Sequence, residues 1–317
     1  MQFRFVVAAS LLALSVSASA QMPDKPLARP RILGISHIAI YTSNPDAADR
    51  FYRATIGAVK LPDPENPKGV RYALSATQFV EVLPLPPDAG INRLDHTAWN
   101  TDDAEALRRF LGAKSWKVPS RVEKAADGTL WFEVKDPEGN KVQFVQLPQN
   151  IKPLINPAAI GRHIIHVGYL VHSRNLENTF YRDLLGFKPY WFGGMADDKV
   201  DWVSQQSPDS HDWVEYMMTS SAGPGPGGAG IPADMSPHTL GVLDHFSIGV
   251  DAVPVAFTQL EAGNRLPATH DAAPKIGKDG KYQFNLYDPD GTRVELMNFH
   301  ATEKPCCSPF TAEDPAE

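Results

Sequence analysis

The chain has 317 residues, which is long enough for two compact domains that each bury a core. Its hydrophobic content of 43% and charged content of 21% are ordinary for a soluble globular protein. The formal net charge is −7, and the sequence lacks the basic stripe that nucleic-acid binding usually needs. We therefore expect no nucleic-acid partner.

The N-terminus has the three-part pattern of a secretory signal peptide. Arg4 precedes an apolar run from Phe5 to Val16, and Ala18-Ser19-Ala20 then forms a small-residue cleavage pattern. The apolar run is shorter than the roughly 20 residues that a membrane span requires. We expect residues 1–20 to be a signal peptide, with export to the periplasm or beyond and no membrane contact after cleavage.

Four motifs recur in the same order in the two halves of the chain. They are FYRATIGA at Phe51 and FYRDLLGF at Phe180, the strand histidines His37 and His166, LDHTAW at Leu94 and LDHFSI at Leu243, and DPEGNKVQF at Asp136 and DPDGTRVEL at Asp288. Such agreement indicates a tandem duplication. The sequence predicts an N-terminal domain at residues 33–148, a C-terminal domain at 162–300 and a tail at 301–317.

Each half divides again into two units with the same predicted order of elements. In the first unit a strand at His37 precedes Asn44-Pro45, which is typical of a helix N-cap followed by Pro at the first helical position. The helix is predicted to end at Gly57, and strand-like runs follow at Val70 to Leu74 and Gln78 to Leu83. The pattern predicts an α+β protein of four tandem βαβββ units, paired into two domains.

The two cysteines, Cys306 and Cys307, are adjacent in the tail. An ordinary long-range disulfide within the chain is therefore excluded, and adjacent residues could bridge only through a strained ring. We interpret them as tail thiols without a structural role. A vicinal disulfide, an intermolecular bridge and a soft-metal site remain alternatives.

Each unit carries a histidine on its first strand and a Glu or Gln on its last strand. The histidines are His37, His96, His166 and His245, and the last-strand residues are Glu81, Gln143, Glu215 and Glu295. A polar side chain among apolar strand neighbours points either to solvent or into a cavity. Each histidine alone could be a hydrogen-bonded core residue, but the repeated pattern favours a site for Fe, Mn, Zn, Ni or Co.

The order of strand histidine, DPDG turn and following glutamate resembles the vicinal oxygen chelate superfamily. Its members include glyoxalase I, methylmalonyl-CoA epimerase, fosfomycin-resistance enzymes, bleomycin-resistance binders and extradiol ring-cleaving dioxygenases. The resemblance covers residues 35–299. It implies two cup-like mixed-sheet domains and a small-molecule substrate with neighbouring oxygens. The units pair either within each half or across the subunits of a homodimer, since the family does both.

The resemblance also implies a divalent metal site in the C-terminal domain. His166, His245 and Glu295 match the family's ligands, and Glu215 matches a further ligand of the glyoxalase-like members. In the N-terminal domain Gln143 stands where the carboxylate is expected. We interpret that site as vestigial, because a neutral amide is a weaker ligand.

Three functions are compatible with these residues. A glyoxalase- or epimerase-like isomerase or lyase would use the metal to stabilise an enediolate and Glu215 or Glu295 as the catalytic general base. An extradiol-type Fe(II) ring-cleaving dioxygenase is the first alternative, although Asn285 stands where those enzymes have a Tyr. A bleomycin-resistance-like binding protein without turnover is the second. The four C-terminal site residues together favour a metal-dependent enzyme, and the isomerase or lyase slightly over the dioxygenase.

Overall fold

The computed structural model describes residues 27–89, 92–154, 156–194, 196, 199–218 and 244–316. The predicted signal peptide lies outside these residues. Among the helices in the described ranges, none combines the length and apolar character that a membrane crossing requires.

Within the described residues the chain forms sixteen strands and four α-helices. The strands are β1 (Ile32–Thr42), β2 (Val59–Pro62), β3 (Val70–Ala73), β4 (Phe79–Pro84), β5 (Leu94–Thr101), β6 (Glu123–Lys124), β7 (Leu130–Lys135), β8 (Lys141–Gln146), β9 (His163–Val171), β10 (Lys188–Gly193), β11 (Trp202–Gln206), β12 (Trp213–Met218), β13 (His245–Val250), β14 (Lys275–Ile276), β15 (Tyr282–Tyr287) and β16 (Arg293–Asn298). The helices are α1 (Pro45–Arg50), α2 (Ala104–Ala113), α3 (Arg174–Asn178) and α4 (Val253–Ala262).

Each half of the chain forms one eight-stranded mixed sheet. The strand orders are β2-β3-β4-β1-β5-β8-β7-β6 and β10-β11-β12-β9-β13-β16-β15-β14. Each sheet consists of two βαβββ units joined by the antiparallel pairing of their first strands, β1 with β5 and β9 with β13. The predicted fold class of four such units in two cup-like domains is confirmed. The units pair within each half.

The first helix of each domain continues into a π-helical turn, at Phe51–Thr55 and Thr179–Leu184. Asn44 caps α1 as predicted, because its side chain accepts a hydrogen bond from the backbone N of Ala47 at 3.1 Å. The sequence predicted one continuous helix up to Gly57. The wider π turn instead lets Phe51, Tyr52 and Thr55 all face the core.

Matching polar side chains join the two domains through each other's first strand. The side-chain amide of Gln78 donates to the carbonyl oxygen of Ile164 at 3.1 Å. The side-chain oxygen of Gln78 accepts from the backbone N of Ile164 at 2.7 Å. Asp212, in the equivalent place, accepts from the backbone N of Ile35 at 2.7 Å. The two central strands thereby hold each other in a fixed position.

The DPxG turns make a second pair of symmetric contacts between the domains. Glu138 accepts hydrogen bonds from the backbone N of His172 and Ser173, just before α3. Asp290 accepts from the backbone N of Ser43, just before α1. Each turn therefore satisfies backbone groups at the first helix of the other domain, where unpaired N–H groups would otherwise remain.

The tail packs on the C-terminal domain and contains a Cys306–Cys307 disulfide. The indole N–H of Trp191 donates to the carbonyl of Cys306 at 3.3 Å. The buried Lys281 ammonium donates to Asp314 at 2.7 Å. The interpretation of the cysteines as tail thiols without a structural role is therefore wrong: they are bonded to each other within a docked tail.

Two buried carboxylates, Glu177 and Asp136, lie beside each other at the domain interface. Glu177 is 1% exposed and accepts a hydrogen bond from the backbone N of Glu138 at 3.1 Å. Burial, followed by the nearby charge of Asp136, raises the pKa of Glu177 to about 10. Burial also raises the pKa of Asp136 to about 6. The folded protein therefore keeps Glu177 protonated at neutral pH.

We expect Glu177→Gln to stabilise the protein at pH 8 and to have little effect at pH 4.5. A carboxyl whose folded pKa is raised contributes stability below its unfolded pKa, and this stability is lost as the pH rises toward the folded pKa. The amide of Gln needs no proton and donates to Asp136 at every pH, which is worth about 1.5 kcal/mol. Urea unfolding at both pH values measures the difference.

The matched control is Glu123→Gln, because Glu123 is exposed and pairs with Arg121. That variant should change the free energy of unfolding by less than about 0.5 kcal/mol at either pH. An equal effect of Glu177→Gln at pH 4.5 and pH 8 would contradict the assignment of a raised pKa.

Candidate metal centres

Strand register places the four predicted C-terminal residues on one face of the sheet. Gly168 on β9 lies opposite both Glu215 on β12 and His245 on β13. Ser247 on β13 lies opposite both His166 and Glu295. Residues opposite each other across strands point to the same side, and residues two apart on a strand do too. All four side chains therefore project into the cup.

Three of these side chains converge to metal-binding distance and the fourth lies next to them. The Nε2 atoms of His166 and His245 are 3.1 Å apart. The Oε2 of Glu295 is 3.3 Å from the Nε2 of His166 and 3.9 Å from that of His245. The Oε2 of Glu215 is 3.7 Å from the Nε2 of His245. The structure thus brings together every residue that the sequence analysis assigned to this site.

The donor set fits a transition-metal dication. Two imidazole nitrogens face each other at 3.1 Å, with carboxylate oxygens beside them. Among the described residues, none hydrogen-bonds to the Nδ1 of His166, although this histidine is fully buried. Nitrogen ligands together with one or two carboxylates suit Zn, Mn, Fe, Co or Ni better than Mg or Ca, which prefer oxygen ligands.

Glu215 has an environment that favours its neutral form. Burial raises the pKa of Glu215 to about 8, and the negative charge of Glu295 adds to the increase. The positive charge of Arg293 acts in the opposite direction. This carboxyl group is therefore able to take up and release a proton near neutral pH.

Arg293 contacts the outer nitrogen of His245, and the sequence analysis missed it. Its Nη2 lies 2.6 Å from the Nδ1 of His245. A guanidinium group only donates, so Nδ1 is the acceptor and the proton of a neutral His245 lies on Nε2, facing the site. Metal binding needs the Nε2 lone pair, so this contact opposes it. The signal in the sequence was the position of Arg293 two residues before Glu295, on the same strand face.

Gly168 is a second residue that the sequence analysis missed. It lies on β9 opposite His245, and a Cβ atom at this position would come within 2.1 Å of the His245 ring. The equivalent position on β1 is Ala39, opposite His96. A glycine inside an apolar strand often marks such a close approach, and this was the available signal.

A cavity of about 510 Å³ opens beside the C-terminal residues. Its walls include Glu215, His245 and Glu295, the aromatic rings of Trp191 and Trp202, the thioethers of Met217 and Met297, and the amides of Gln283 and Asn285. Trp213 stacks on the ring of His166, with 4.8 Å between the ring centres. The cavity has the size and mixed lining of a small-molecule site.

The N-terminal domain contains an equivalent convergence at His37, Glu81 and His96. The two Nε2 atoms are 3.0 Å apart, and the Oε2 of Glu81 is 3.7 Å from each of them. Gln143, which occupies the position of Glu295, donates its amide to Glu65. The carboxylate of this triad therefore comes from β4, whereas that of the C-terminal triad comes from β16.

The sequence of the N-terminal domain identifies its family. Residues 34–144 match the model of the Glyoxalase/Bleomycin resistance protein/Dioxygenase superfamily. The N-terminal domain belongs to this superfamily, which confirms the resemblance to the vicinal oxygen chelate proteins. The C-terminal domain repeats its strand order.

Solved structures with the same fold are distant in sequence. A catechol 2,3-dioxygenase is 18% identical, with a TM-score of 0.59 over 87% of this chain and 95% of that chain. The 2,3-dioxygenase LapB from Pseudomonas sp. KL28 is 14% identical, with a TM-score of 0.63 over 88% and 97%. The Mn(II)-bound glyoxalase from Novosphingobium aromaticivorans is 16% identical, with a TM-score of 0.62 over 88% and 86%. Among curated proteins, none matches the sequence.

We expect Gly168→Ala to weaken metal binding in the C-terminal cup at least 10-fold, because the new methyl group must displace the ring of His245. Zinc titration should be done in a His37→Ala background, so that only the C-terminal residues respond. Ala39→Gly in the equivalent N-terminal position is the control and should leave this affinity unchanged. Unaltered zinc binding by Gly168→Ala would contradict a ligand role for His245.

Proposed function

We propose that this chain is an exported, metal-dependent isomerase or lyase that moves a proton at a carbon next to two neighbouring oxygens of a small substrate. The observation that carries the proposal is the position of a further carboxyl group, Glu215, beside His245 in the wall of the cavity that Glu295 also lines.

The residues divide into a metal-holding set and a proton-transferring group. A dication held by His166, His245 and Glu295 supplies a Lewis acid that stabilises negative charge developing on the substrate oxygens. Glu295 belongs to the holding set because its Oε2 lies within 4 Å of both Nε2 atoms. Glu215 lies within this distance of His245 and has a pKa raised to about 8 by burial.

Glu215 is therefore assigned as the general base. Its carboxylate takes the proton from the substrate carbon, and the electron pair of the broken C–H bond moves toward the neighbouring oxygens. In an isomerase the same carboxyl returns the proton to the adjacent carbon, and in a lyase the electron pair expels a leaving group. A base with a pKa near the working pH is effective in both directions.

A ring-cleaving dioxygenase is the second candidate. Two of the similar structures are dioxygenases that align over almost their full length. His166, His245 and Glu295 provide the two-histidine, one-carboxylate set that such Fe(II) chemistry uses. Asn285 in the cavity wall is engaged with Asp271 at 2.9 Å, and it offers no phenol group to the substrate.

Export is the remaining part of the proposal. It is based on the signal-peptide pattern of residues 1–20. The Cys306–Cys307 disulfide supports it, because disulfides persist mainly in oxidising compartments.

We expect Glu215→Gln to retain the metal and to lose at least 100-fold in proton transfer, since Gln cannot accept the proton. Glu295→Gln should lose both metal binding and proton transfer, because it removes the negative charge from the residues that hold the metal. Metal binding is measured as metal content per chain. Exchange of the carbon-bound protons of hydroxyacetone in D2O, followed by NMR with the manganese- or zinc-loaded protein, measures proton transfer.

Oxygen uptake with catechol and the Fe(II)-loaded protein distinguishes the second candidate. Ring cleavage would be favoured if the protein consumed oxygen with catechol but did not exchange the protons of hydroxyacetone. Glu215→Gln should then consume oxygen as fast as the wild type. Metal binding without either reaction across a panel of hydroxyketones and catechols would favour a binding protein without turnover.

A further inference from the structure

The N-terminal cup holds its three potential ligands in a buried cluster. His37, Glu81 and His96 are between 1% and 5% exposed. Register brings them together, because Ala39 lies opposite both Glu81 and His96 and is two residues from His37. This is the arrangement of the C-terminal cup, built from the same central strands.

One oxygen of this cluster has no hydrogen-bond partner in the described part of the chain. The Oε2 of Glu81 is buried and points between the two imidazoles, 3.7 Å from the Nε2 of each. A buried carboxylate oxygen without a partner is costly. The two ring nitrogens beside it already face each other at 3.0 Å, so a proton shared between them does not satisfy this oxygen.

Asp95 fixes the orientation of His96 in the way a metal ligand requires. Its Oδ2 lies 2.7 Å from the Nδ1 of His96. Tyr41 and Lys141 both donate to the other carboxylate oxygen of Asp95, and a carboxylate only accepts hydrogen bonds. It therefore accepts the Nδ1 proton and leaves the lone pair of Nε2 directed at Glu81. Carboxylate–histidine pairs of this kind are typical behind metal ligands.

The same position in the C-terminal cup is built differently. Asp244 accepts hydrogen bonds from the backbone N of Leu170 and the side chain of Asn92. The Nδ1 of His245 faces the guanidinium of Arg293. By hydrogen bonding alone, the N-terminal cup is the better prepared of the two for a metal.

A segment outside the repeated motifs contributes buried charged side chains near the N-terminal cluster. Glu65 is 8% exposed at its side chain and accepts from the amide of Gln143. Arg71 bridges Asp63 at 3.1 Å and Glu65 at 3.5 Å. Gln143 thus positions a second carboxylate over the cluster in place of the one it replaces. Closed sites are typical of structural metals, whereas catalytic sites keep an open position.

We propose that His37, Glu81 and His96 bind a second divalent metal of the zinc type, which stabilises the N-terminal domain and does not exchange with substrate. The interpretation of this site as vestigial depended on Gln143, and the Glu81 carboxylate removes that argument. This proposal is independent of the function proposed for the C-terminal cup.

The test uses the full-length chain purified without chelators, with the C-terminal site disabled by His166→Ala and His245→Ala. We expect this double variant to retain about one equivalent of metal. Adding His37→Ala and His96→Ala should reduce the metal to less than a tenth of an equivalent. Stripping the double variant with EDTA should lower its Tm by several degrees, and zinc chloride alone should restore it.

Asp95→Asn tests the role of the orienting carboxylate without removing a ligand. We expect a 10- to 100-fold loss of zinc affinity in competition with a chelator. Asp244→Asn, at the equivalent C-terminal position, is the matched control and should leave this affinity unchanged. Glu81→Gln provides a further variant should the histidine variants not fold, and it should lose the metal.

Two results would overturn the proposal. One is a C-terminal double variant that contains no metal and takes up none on titration with zinc. The other is metal that persists in Glu81→Gln and in Asp95→Asn with unchanged affinity, which would place it elsewhere in the chain.

Discussion

The antiparallel pairing of the first strands of two units determines both cups. In each domain this pair, β1 with β5 or β9 with β13, lies at the centre of the sheet and is flanked by the last strands of the two units in parallel. The register decides which side chains face inward. A slip of one residue in β5 would turn His96 into the hydrophobic core and Thr97 into the cup. The packing of Ile38 and Ile40 against the core therefore also fixes His37 in the site.

The repeat in the sequence was sufficient to predict the four units and to select four C-terminal side chains that the structure brings together. It left open whether the units pair within each half or across subunits. Recurrence in the same order indicates equivalent positions, and equivalent positions on neighbouring central strands lie close together. The side-chain contacts of those residues could not be predicted from the sequence. Arg293 meets His245, and Asp95 meets His96, through geometry that depends on register and on side-chain direction. The contribution of Glu65 was also hidden, because it lies outside the repeated motifs.

Both cups are built from equivalent strands but differ in the side chains around the cluster. In the N-terminal cup, Glu65 pairs with Arg71 and accepts a hydrogen bond from Gln143. In the C-terminal cup, Glu295 stays in the cluster and a cavity of about 510 Å³ remains. Buried contacts favour the stability of a domain, whereas an open cavity gives a small molecule access to the site.

Charge balance explains why an arginine faces a histidine in the open cup. Glu215 and Glu295 line the same cavity, and the negative charge of Glu295 adds to burial in raising the pKa of Glu215. A positive charge nearby offsets this repulsion, and Arg293 provides one from the outer side of His245. A dication would offset it more effectively, from the inner side. A metal bound there would need the lone pair of the His245 Nε2, which the contact of Arg293 with Nδ1 opposes.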